Sequence, residues 1–234
     1  MAVGYLVLVK AKPREGAIMK KGLTELVFIV DRSGSMGGLE SDTVGGINAT
    51  LAKNREAEGE AIVSIVLFDN TAEVLVDRVD ITKVKDLTRD DYQVRGCTAL
   101  LDCVGDSIRH IKRVQGYMPD EYKAEHVIFV ITTDGLENAS QRHTYQDVKR
   151  AIEQRTEEGW EFIFLGANID AVSEAARIGI AEDRAATYLA DAPGSAVMYD
   201  GVAKACCSMR EASFGERISA KWKETIEHDT AKRR

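Results

Sequence analysis

Leu26-Val27-Phe28-Ile29-Val30 is an uninterrupted apolar run, and Asp31-Arg32-Ser33-Gly34-Ser35 follows it directly. An apolar run of this kind is typical of a strand that is buried on both faces. The aspartate and the two serines stand at alternate positions on the exit from that strand, so their side-chain oxygens can point to one place. Carboxylate and hydroxyl oxygens are ligands that hard divalent cations prefer. The stretch therefore predicts a central strand with a candidate metal site at its carboxyl end.

Short apolar runs alternate along the chain with segments of helical periodicity, which predicts an α/β fold. The predicted strands are residues 26–30, 61–68, 73–79, 127–131, 162–165 and 186–189. The predicted helices have apolar stripes at Val44, Ile47 and Leu51; at Leu101, Val104, Ile108 and Ile111; at Tyr145, Val148 and Ile152; at Val172, Ala175 and Ala176; and at Val202, Cys206 and Met209. Strands separated by helices favour a mostly parallel sheet with helices on both faces, which makes three layers.

One connection between strands is too short for a helix. Asn70-Thr71 separates the second predicted strand from the third, and a tight turn of this kind joins antiparallel neighbours. We therefore expect a single antiparallel strand at one edge of the sheet. We also expect Cys206 to lie in the core, because free cysteine is commonly buried.

Two later segments can complete the candidate metal site. Thr98 lies in the loop that opens the second predicted helix, and Asp134 follows the strand 127–131. Ligands of open α/β sheets bind beyond the carboxyl ends of the strands. We therefore expect Asp31, Ser33, Ser35, Thr98 and Asp134 to meet in one crevice.

The types of these side chains select the metal. Oxygen ligands without histidine or cysteine favour Mg²⁺, with Mn²⁺ or Ca²⁺ as alternatives. Three of the five candidates are neutral hydroxyls, so they cancel little of the charge of the ion. A coordination position then stays open for an incoming anion, and we expect an Asp or Glu carboxylate of a protein partner to fill it.

These residues carry a resemblance to a known family. Asp31-x-Ser33-x-Ser35, Thr98 and Asp134-Gly135 are similar to the metal-ion-dependent adhesion site (MIDAS) of the von Willebrand factor type A (vWA) domain. The similarity extends roughly over residues 24–210, and further stretches resemble stand-alone bacterial and phage members: Thr98-Ala99-Leu100-Leu101-Asp102, Thr133-Asp134-Gly135-Leu136-Glu137-Asn138 and Phe164-Leu165-Gly166-Ala167-Asn168. The resemblance implies a Rossmann-like sheet that carries a divalent ion at its top and uses it for protein binding.

The composition argues against several other classes of protein. The chain has 234 residues, 44% hydrophobic residues and a net charge of −7, and this acidic balance disfavours nucleic acid as a partner. No apolar stretch approaches the ~20 residues that span a bilayer, so we expect no membrane association. Four cysteines without a C-x-x-C pair, together with no recognisable signal peptide, favour a reduced, cytoplasmic protein. The cysteines and the four histidines form no set with the spacing of zinc ligands.

The chain divides by composition into three parts. We expect one vWA-like domain over residues 19–214, preceded by an extension over residues 1–18. Met19 is a candidate initiator, which would make this extension an over-annotation; the alternative is a flexible arm or an added edge strand. Residues 215–234 form a charged tail in which Trp222 and Ile226 stand at helical spacing, so we expect a helix that packs weakly or awaits a partner.

Several polar residues near the site have other interpretations. We expect Asp69 to be a turn residue and Asp170 to cap a helix. Asp102 either supports the Thr98 loop through a hydrogen bond or lies exposed on its helix. Asn168 could line the same crevice. Cys97, beside Thr98, raises the question of redox sensitivity in that loop.

Three functions remain open from the sequence. The first is a metal-dependent protein-binding module without enzymatic activity. The second is a metal-dependent hydrolase of the phosphatase type, but no histidine lies near the motif and Ser33 stands where an aspartyl-phosphate mechanism needs a second carboxylate. The third is a regulatory subunit of an ATPase or stress-response complex, which rests on analogy with the family alone.

Overall fold

The computed structural model describes residues 19–213, 216 and 218–233. The predicted extension over residues 1–18 lies outside these residues. Twelve regular elements follow one another along the chain: β1 (Lys20–Asp31), α1 (Glu40–Glu56), β2 (Glu60–Phe68), β3 (Ala72–Asp80), α2 (Leu100–Tyr117), β4 (Ala124–Thr133), α3 (Tyr145–Glu157), β5 (Glu161–Ala167), α4 (Ala171–Arg177), β6 (Ala185–Tyr188), α5 (Ala192–Glu211) and α6 (Glu224–Arg233). Short 3₁₀ turns connect some of them, among them Ala220–Lys223 directly before α6.

The six strands form one sheet in the order β3-β2-β1-β4-β5-β6. β2 pairs with β3 in the antiparallel direction, and the other four pairings are parallel. The predicted architecture, a mostly parallel sheet with one antiparallel edge strand and helices on both faces, is confirmed. β1 lies between β2 and β4, so the carboxyl ends of these three strands lie side by side at one edge of the sheet.

Side chains of β1 alternate between two hydrophobic cores. Leu26, Phe28 and Val30 face α1 and α5, whereas Val27 and Ile29 face α2, α3 and α4. This alternation explains why the β1 sequence is apolar without interruption, since both faces of the strand are covered by helices. The cores therefore fix the register that places Asp31 at the end of β1.

Short polar side chains cap the starts of α4 and α5. Asp170 accepts a hydrogen bond from the Ser173 amide at the start of α4, which confirms its predicted capping role. Asp191 does the same for Gly194 at the start of α5, where Pro193 occupies the first turn. Each cap follows the carboxyl end of a parallel strand, the end at which Asp31 lies in β1.

The two helices α1 and α5 pack closely on one face of the sheet. Gly46 of α1 lies so near the ring of Tyr199 that an added Cβ would be 1.9 Å from a ring carbon. Beside this contact, a groove of about 370 Å³ runs between the two helices, and Gly45 and Lys53 are among its lining residues.

The charged C-terminal segment packs firmly on the body of the protein. Trp222 is 7% exposed and Ile226 is 1% exposed, and both belong to the core on the α1 and α5 side. The predicted helix is present, but the expectation that it packs weakly is wrong for residues 220–233. The two apolar side chains that the sequence placed at helical spacing are both buried, despite the charge around them.

The same segment covers the outer edge of β6. Lys223 Nζ donates hydrogen bonds to the carbonyl oxygens of Glu182 (2.9 Å) and Ala185 (3.2 Å), and the Thr230 hydroxyl donates to the carbonyl of Thr187 (3.0 Å). We call residues 220–233 the edge cover. Its side chains take the place that the amides of a seventh strand would occupy.

Candidate metal centre

The candidate site is built around the carboxylate of Asp31, the last residue of β1. Its side chain is completely buried. Oδ1 accepts a hydrogen bond from the Ser33 amide (2.7 Å), and Oδ2 accepts one from the hydroxyl of Thr133, the last residue of β4 (2.6 Å). The carboxylate is therefore held by donors from its own loop and from the neighbouring strand.

A chain of side-chain oxygens connects the loop after β1 with the loop after β4. The hydroxyl oxygens of Ser33 and Ser35 lie 3.1 Å apart, and the Ser35 hydroxyl donates to Oδ1 of Asp134 at 2.5 Å. Ser33 is buried, Ser35 is exposed and Asp134 is half-buried. Four of the predicted residues thus lie together, on a path that runs from the interior to the surface.

The fifth predicted residue, Thr98, lies in the loop directly before α2 and is 2% exposed. The surroundings of Gly135 show how close Thr98 lies to Ser35. A Cβ added to this glycine would lie 3.2 Å from the Thr98 hydroxyl oxygen and 3.6 Å from the Ser35 hydroxyl oxygen. Both hydroxyls therefore flank one small space, which the absence of a side chain at Gly135 leaves open.

Burial raises the pKa of the Asp31 carboxyl above its ordinary value; hydrogen bonds from Thr133 and Ser33 oppose this shift, and the charge of Asp134 adds to it. Burial also raises the pKa of Asp134, against the hydrogen bond from Ser35. Two carboxyl groups in such an environment are stabilised in their charged form by a nearby cation. The electrostatics of the site therefore suit a positively charged ligand.

The donor set suits an oxygen-preferring cation. Nowhere in residues 19–213, 216 and 218–233 do three or more His, Cys, Asp or Glu side chains gather into a metal-binding group. A cation at this place would therefore depend on hydroxyls as much as on carboxylates. Mg²⁺ and related hard ions accept such ligands, whereas structural zinc sites are built from cysteine and histidine.

A tyrosine also supports the loop that carries the two serines. The Tyr92 hydroxyl donates a hydrogen bond to the main-chain carbonyl of Asp31, and this tyrosine is 1% exposed. The Gly34 amide then donates to the Gly96 carbonyl (3.1 Å). Residues 92–96 thus fasten the first site loop to the loop that carries Thr98.

Sequence reasoning assigned no role to Tyr92, Thr133, Glu137 or Asn138. The tyrosine lies 61 residues from Asp31 and Thr133 lies 102 residues from it, so no local pattern marks these contacts. The one available signal was position, since Thr133 directly precedes the Asp134-Gly135 pair and Glu137 follows Gly135 by two residues.

Asp69 is confirmed as a turn residue. Its Oδ1 accepts from the Thr71 amide (2.9 Å), and its Oδ2 pairs with Arg32 (3.0 Å) and Arg95 (2.7 Å). Arg32 is buried and lies between Asp31 and Ser33 in sequence. Its ion pair with Asp69 therefore anchors the first site loop to the turn after β2. The carboxylate of Asp69 is thus engaged by arginines.

Asp102 is 7% exposed, which excludes the exposed alternative. Its carboxylate accepts from the main-chain amides of Gln141 (3.0 Å), Arg142 (2.9 Å) and His143 (2.9 Å). It therefore supports the loop before α3, and not the Thr98 loop directly.

Asn168 and Cys97 each take part in a hydrogen bond between two loops. Asn168 Oδ1 accepts from the Ala190 amide (3.3 Å), and the Asn168 backbone has φ +54°. Cys97 is exposed, and its amide donates to Asn70 Oδ1 (2.9 Å). Asn168 therefore ties the loop after β5 to the loop after β6.

No protein-family model matches the chain, and no curated protein matches it. Solved structures do match. The vWF domain of the type V pili tip protein Mfa5 from Porphyromonas gingivalis has a TM-score of 0.60 at 10% identity, over 87% of this chain and 99% of that one. Proximal thread matrix protein 1 from the mussel byssus has a TM-score of 0.55 at 16% identity, over 81% of this chain. The ArnB paralog VWA2 from Sulfolobus acidocaldarius has a TM-score of 0.52 at 14% identity, over 80% of this chain.

These similarities establish the vWA fold for this chain. The chain spans about half the length of two of these proteins, 47% of the mussel protein and 46% of the Sulfolobus protein. One structure of the mussel protein has a zinc-occupied MIDAS motif. Within the part of the chain that the structure describes, no helix is both long and apolar enough to cross a membrane.

Proposed function

We propose that this chain is a divalent-metal-dependent protein-binding module that captures a carboxylate of a partner protein at an open metal site. The observation that carries the proposal is the continuous set of oxygens from buried Asp31 through Ser33 and Ser35 to half-buried Asp134, with Thr98 across the gap left by Gly135. The set begins in the interior and ends at the surface, where a partner can reach it.

Five side chains would hold the ion: Asp31, Ser33, Ser35, Thr98 and Asp134. Mg²⁺ is the preferred candidate, with Mn²⁺ or Ca²⁺ as alternatives, because all five ligands are oxygens. The bound ion supplies positive charge for a partner carboxylate. Asp31 and Asp134 supply the negative charge that retains the ion, while the three neutral hydroxyls add oxygen ligands without further negative charge.

The structural neighbours support binding over catalysis. They include proteins named as a thread matrix protein and a pili tip protein, and one of them carries a divalent ion in its MIDAS motif. We propose a non-enzymatic role for this chain on the same ground. We also propose a cytoplasmic location, since all four cysteines are free and two of them are buried.

Metal binding is tested by isothermal titration of the purified protein with MgCl₂, MnCl₂ and CaCl₂. Ser35→Ala removes an exposed oxygen of the site, so we expect its Kd for Mg²⁺ to rise about tenfold or more. Ser208→Ala is the matched control, because Ser208 is exposed on α5. Equal Mg²⁺ affinity in wild-type protein and Ser35→Ala would contradict the site.

Partner capture is tested by panning a random peptide library on immobilised protein in Mg²⁺ and eluting with EDTA. We expect the eluted peptides to share an Asp or Glu, and their Asn or Gln versions to lose binding. Retention of binding after this exchange would reject carboxylate capture.

The hydrolase alternative makes the opposite prediction, namely turnover of a generic phosphomonoester that Ser35→Ala abolishes. The regulatory-subunit alternative uses the same site and differs only in the partner. Affinity purification from the native host with and without chelator, followed by mass spectrometry, identifies that partner.

A further inference from the structure

Glu137 binds two separate segments through one carboxylate. Its Oε2 accepts hydrogen bonds from the Leu101 amide (2.9 Å) and the Ser140 hydroxyl (2.7 Å). Its Oε1 accepts from the amides of Ala139 (2.9 Å) and Ser140 (2.7 Å). The carboxylate thus joins the first turn of α2 to the loop that follows β4.

The first turn of α2 depends on this acceptor. The residue at the N-terminal cap position of α2 is Ala99, whose side chain offers no hydrogen bond. Helices usually satisfy their first amides with a polar cap, and a negative charge near these amides is favourable. Glu137 supplies both from a different part of the chain, so the start of α2 is fixed to the loop after β4.

Asn138 makes the matching contact with Thr98 itself. Its Oδ1 accepts from the Thr98 amide (3.0 Å), and its own amide donates to the Thr98 carbonyl (3.0 Å). The Ala139 amide donates to the same carbonyl (3.2 Å). The main chain of Thr98 is therefore bound on both sides by residues that follow Asp134 closely in sequence.

We propose that Glu137 and Asn138, together called the loop clamp, are positioning residues that fix the distance between Thr98 and Asp134 and so make the site select a small cation over a large one. This inference rests on the proposed metal site. Thr98 and Asp134 come from different loops, and the clamp contacts described above hold the main chains of these loops together.

The size argument gives the direction of the selectivity. Mg²⁺ requires oxygens at roughly 2.0–2.1 Å in near-octahedral geometry, whereas Ca²⁺ accepts roughly 2.3–2.6 Å in flexible arrangements. Loops that cannot separate favour the smaller ion. Loops that can separate lose this preference, because the larger ion tolerates the wider spacing.

The test compares wild-type protein, Glu137→Ala, Glu137→Gln and Asn138→Ala by isothermal titration with MgCl₂ and with CaCl₂. We expect Glu137→Ala and Asn138→Ala to weaken Mg²⁺ binding about tenfold, in the range found when groups that orient ligands are removed. We expect Ca²⁺ binding to change much less, so the ratio of the two Kd values falls. Glu137→Gln keeps one acceptor oxygen and the side-chain shape, and we expect it to restore part of the ratio.

Hydrogen exchange of the metal-free proteins provides a readout that needs no ion. We expect faster exchange of the Leu101 amide in Glu137→Ala and of the Thr98 amide in Asn138→Ala. Glu157→Ala, at an exposed position at the end of α3, is the control and leaves both rates unchanged.

The outcomes separate this inference from the proposed site. A folded Glu137→Gln and a folded Asn138→Ala that both keep the wild-type ratio of Kd values overturn the loop clamp and leave the metal site standing. Wild-type protein that binds neither ion overturns the site and the selectivity together. Unchanged amide exchange in both alanine variants also overturns the clamp.

Discussion

The Thr133 hydroxyl donates a 2.6 Å hydrogen bond to Oδ2 of Asp31, so the last residues of two neighbouring parallel strands are joined by their side chains. Asp31 is completely buried, and its other carboxylate oxygen accepts a hydrogen bond from the Ser33 amide of its own loop. The direction in which its carboxylate points is therefore set in part by β4.

Thr133→Val keeps the shape of the side chain and removes this donor, together with the acceptor of the Gly135 amide (3.2 Å). A buried carboxylate that loses a hydrogen bond is left partly unsatisfied, so we expect unfolding to require about 1–3 kcal/mol less free energy. Chemical denaturation measures this change, and magnesium titration of the same variant shows whether the orientation of Asp31 matters for the ion.

Thr132→Val is the matched control for that variant. The Thr132 hydroxyl is buried and has no hydrogen-bond partner among the described residues. Its removal takes away an unsatisfied polar atom, so we expect neutral or increased stability. Equal losses in the two valine variants would show that the bond to Asp31 contributes nothing specific.

Gly46→Ala tests the close packing of α1 on α5. The new Cβ would overlap the buried ring of Tyr199, so we expect a loss of about 1–3 kcal/mol. Gly45→Ala is the adjacent control, because a Cβ there meets nothing within 4 Å. Alanine also restricts the unfolded chain, so we expect this control to gain about 0.5–1 kcal/mol. Thermal unfolding of both variants measures the contrast, and changes of equal sign would refute it.

Lys223→Met tests the edge cover. It removes a buried ammonium that donates to the carbonyls of Glu182 and Ala185, so we expect a loss of about 1–3 kcal/mol and faster amide exchange in β6. Thr230→Val removes a single neutral donor, and we expect the smaller loss of about 0.5–1.5 kcal/mol. Lys221→Met changes an exposed lysine of the same segment and serves as control. Equal exchange rates in β6 for Lys223→Met and this control would argue against the cover.

Asp102→Asn tests a dependence on pH. Burial acts to raise the pKa of Asp102, but hydrogen bonds from the amides of Gln141, Arg142 and His143 outweigh it and leave the pKa below its ordinary value. A carboxyl with a lowered folded-state pKa stabilises the protein fully above its unfolded value of about 3.9, and this stability is lost as pH falls through the folded value. We expect wild-type protein to exceed Asp102→Asn by about 1–3 kcal/mol at pH 7. Denaturation at several pH values should show this difference shrinking below about pH 4, and a constant difference would contradict the assignment.

The sequence predicted the six strands and the single antiparallel pair because the apolar runs are long and their connections are distinctive. The tight turn at Asn70-Thr71 indicated the antiparallel pair, and the uninterrupted apolar run before Asp31 indicated a strand covered on both faces. The five candidate ligands were also found from sequence, since each lies at the end of a strand or the start of a helix. Their role as ligands remains a prediction.

The contacts that hold these ligands in place could not be predicted. Thr133, Tyr92 and Glu137 each make a hydrogen bond to a residue that lies far away in sequence, and such contacts depend on strand order and register. The firm packing of the C-terminal segment was missed for a related reason. The spacing of two apolar side chains indicates a helix but not the surface that it packs on, and Trp222 and Ile226 pack into the core on the α1 and α5 side.

The edge cover makes the two outer strands of the sheet, β3 and β6, differ in their access to an added strand. An extended chain that approached β6 would find the outward carbonyls of Ala185 and Thr187 already occupied by Lys223 and Thr230. At the opposite end, β3 presents Val74 with 56% of its surface exposed. Addition of a further strand beside β6 would therefore have to displace the edge cover.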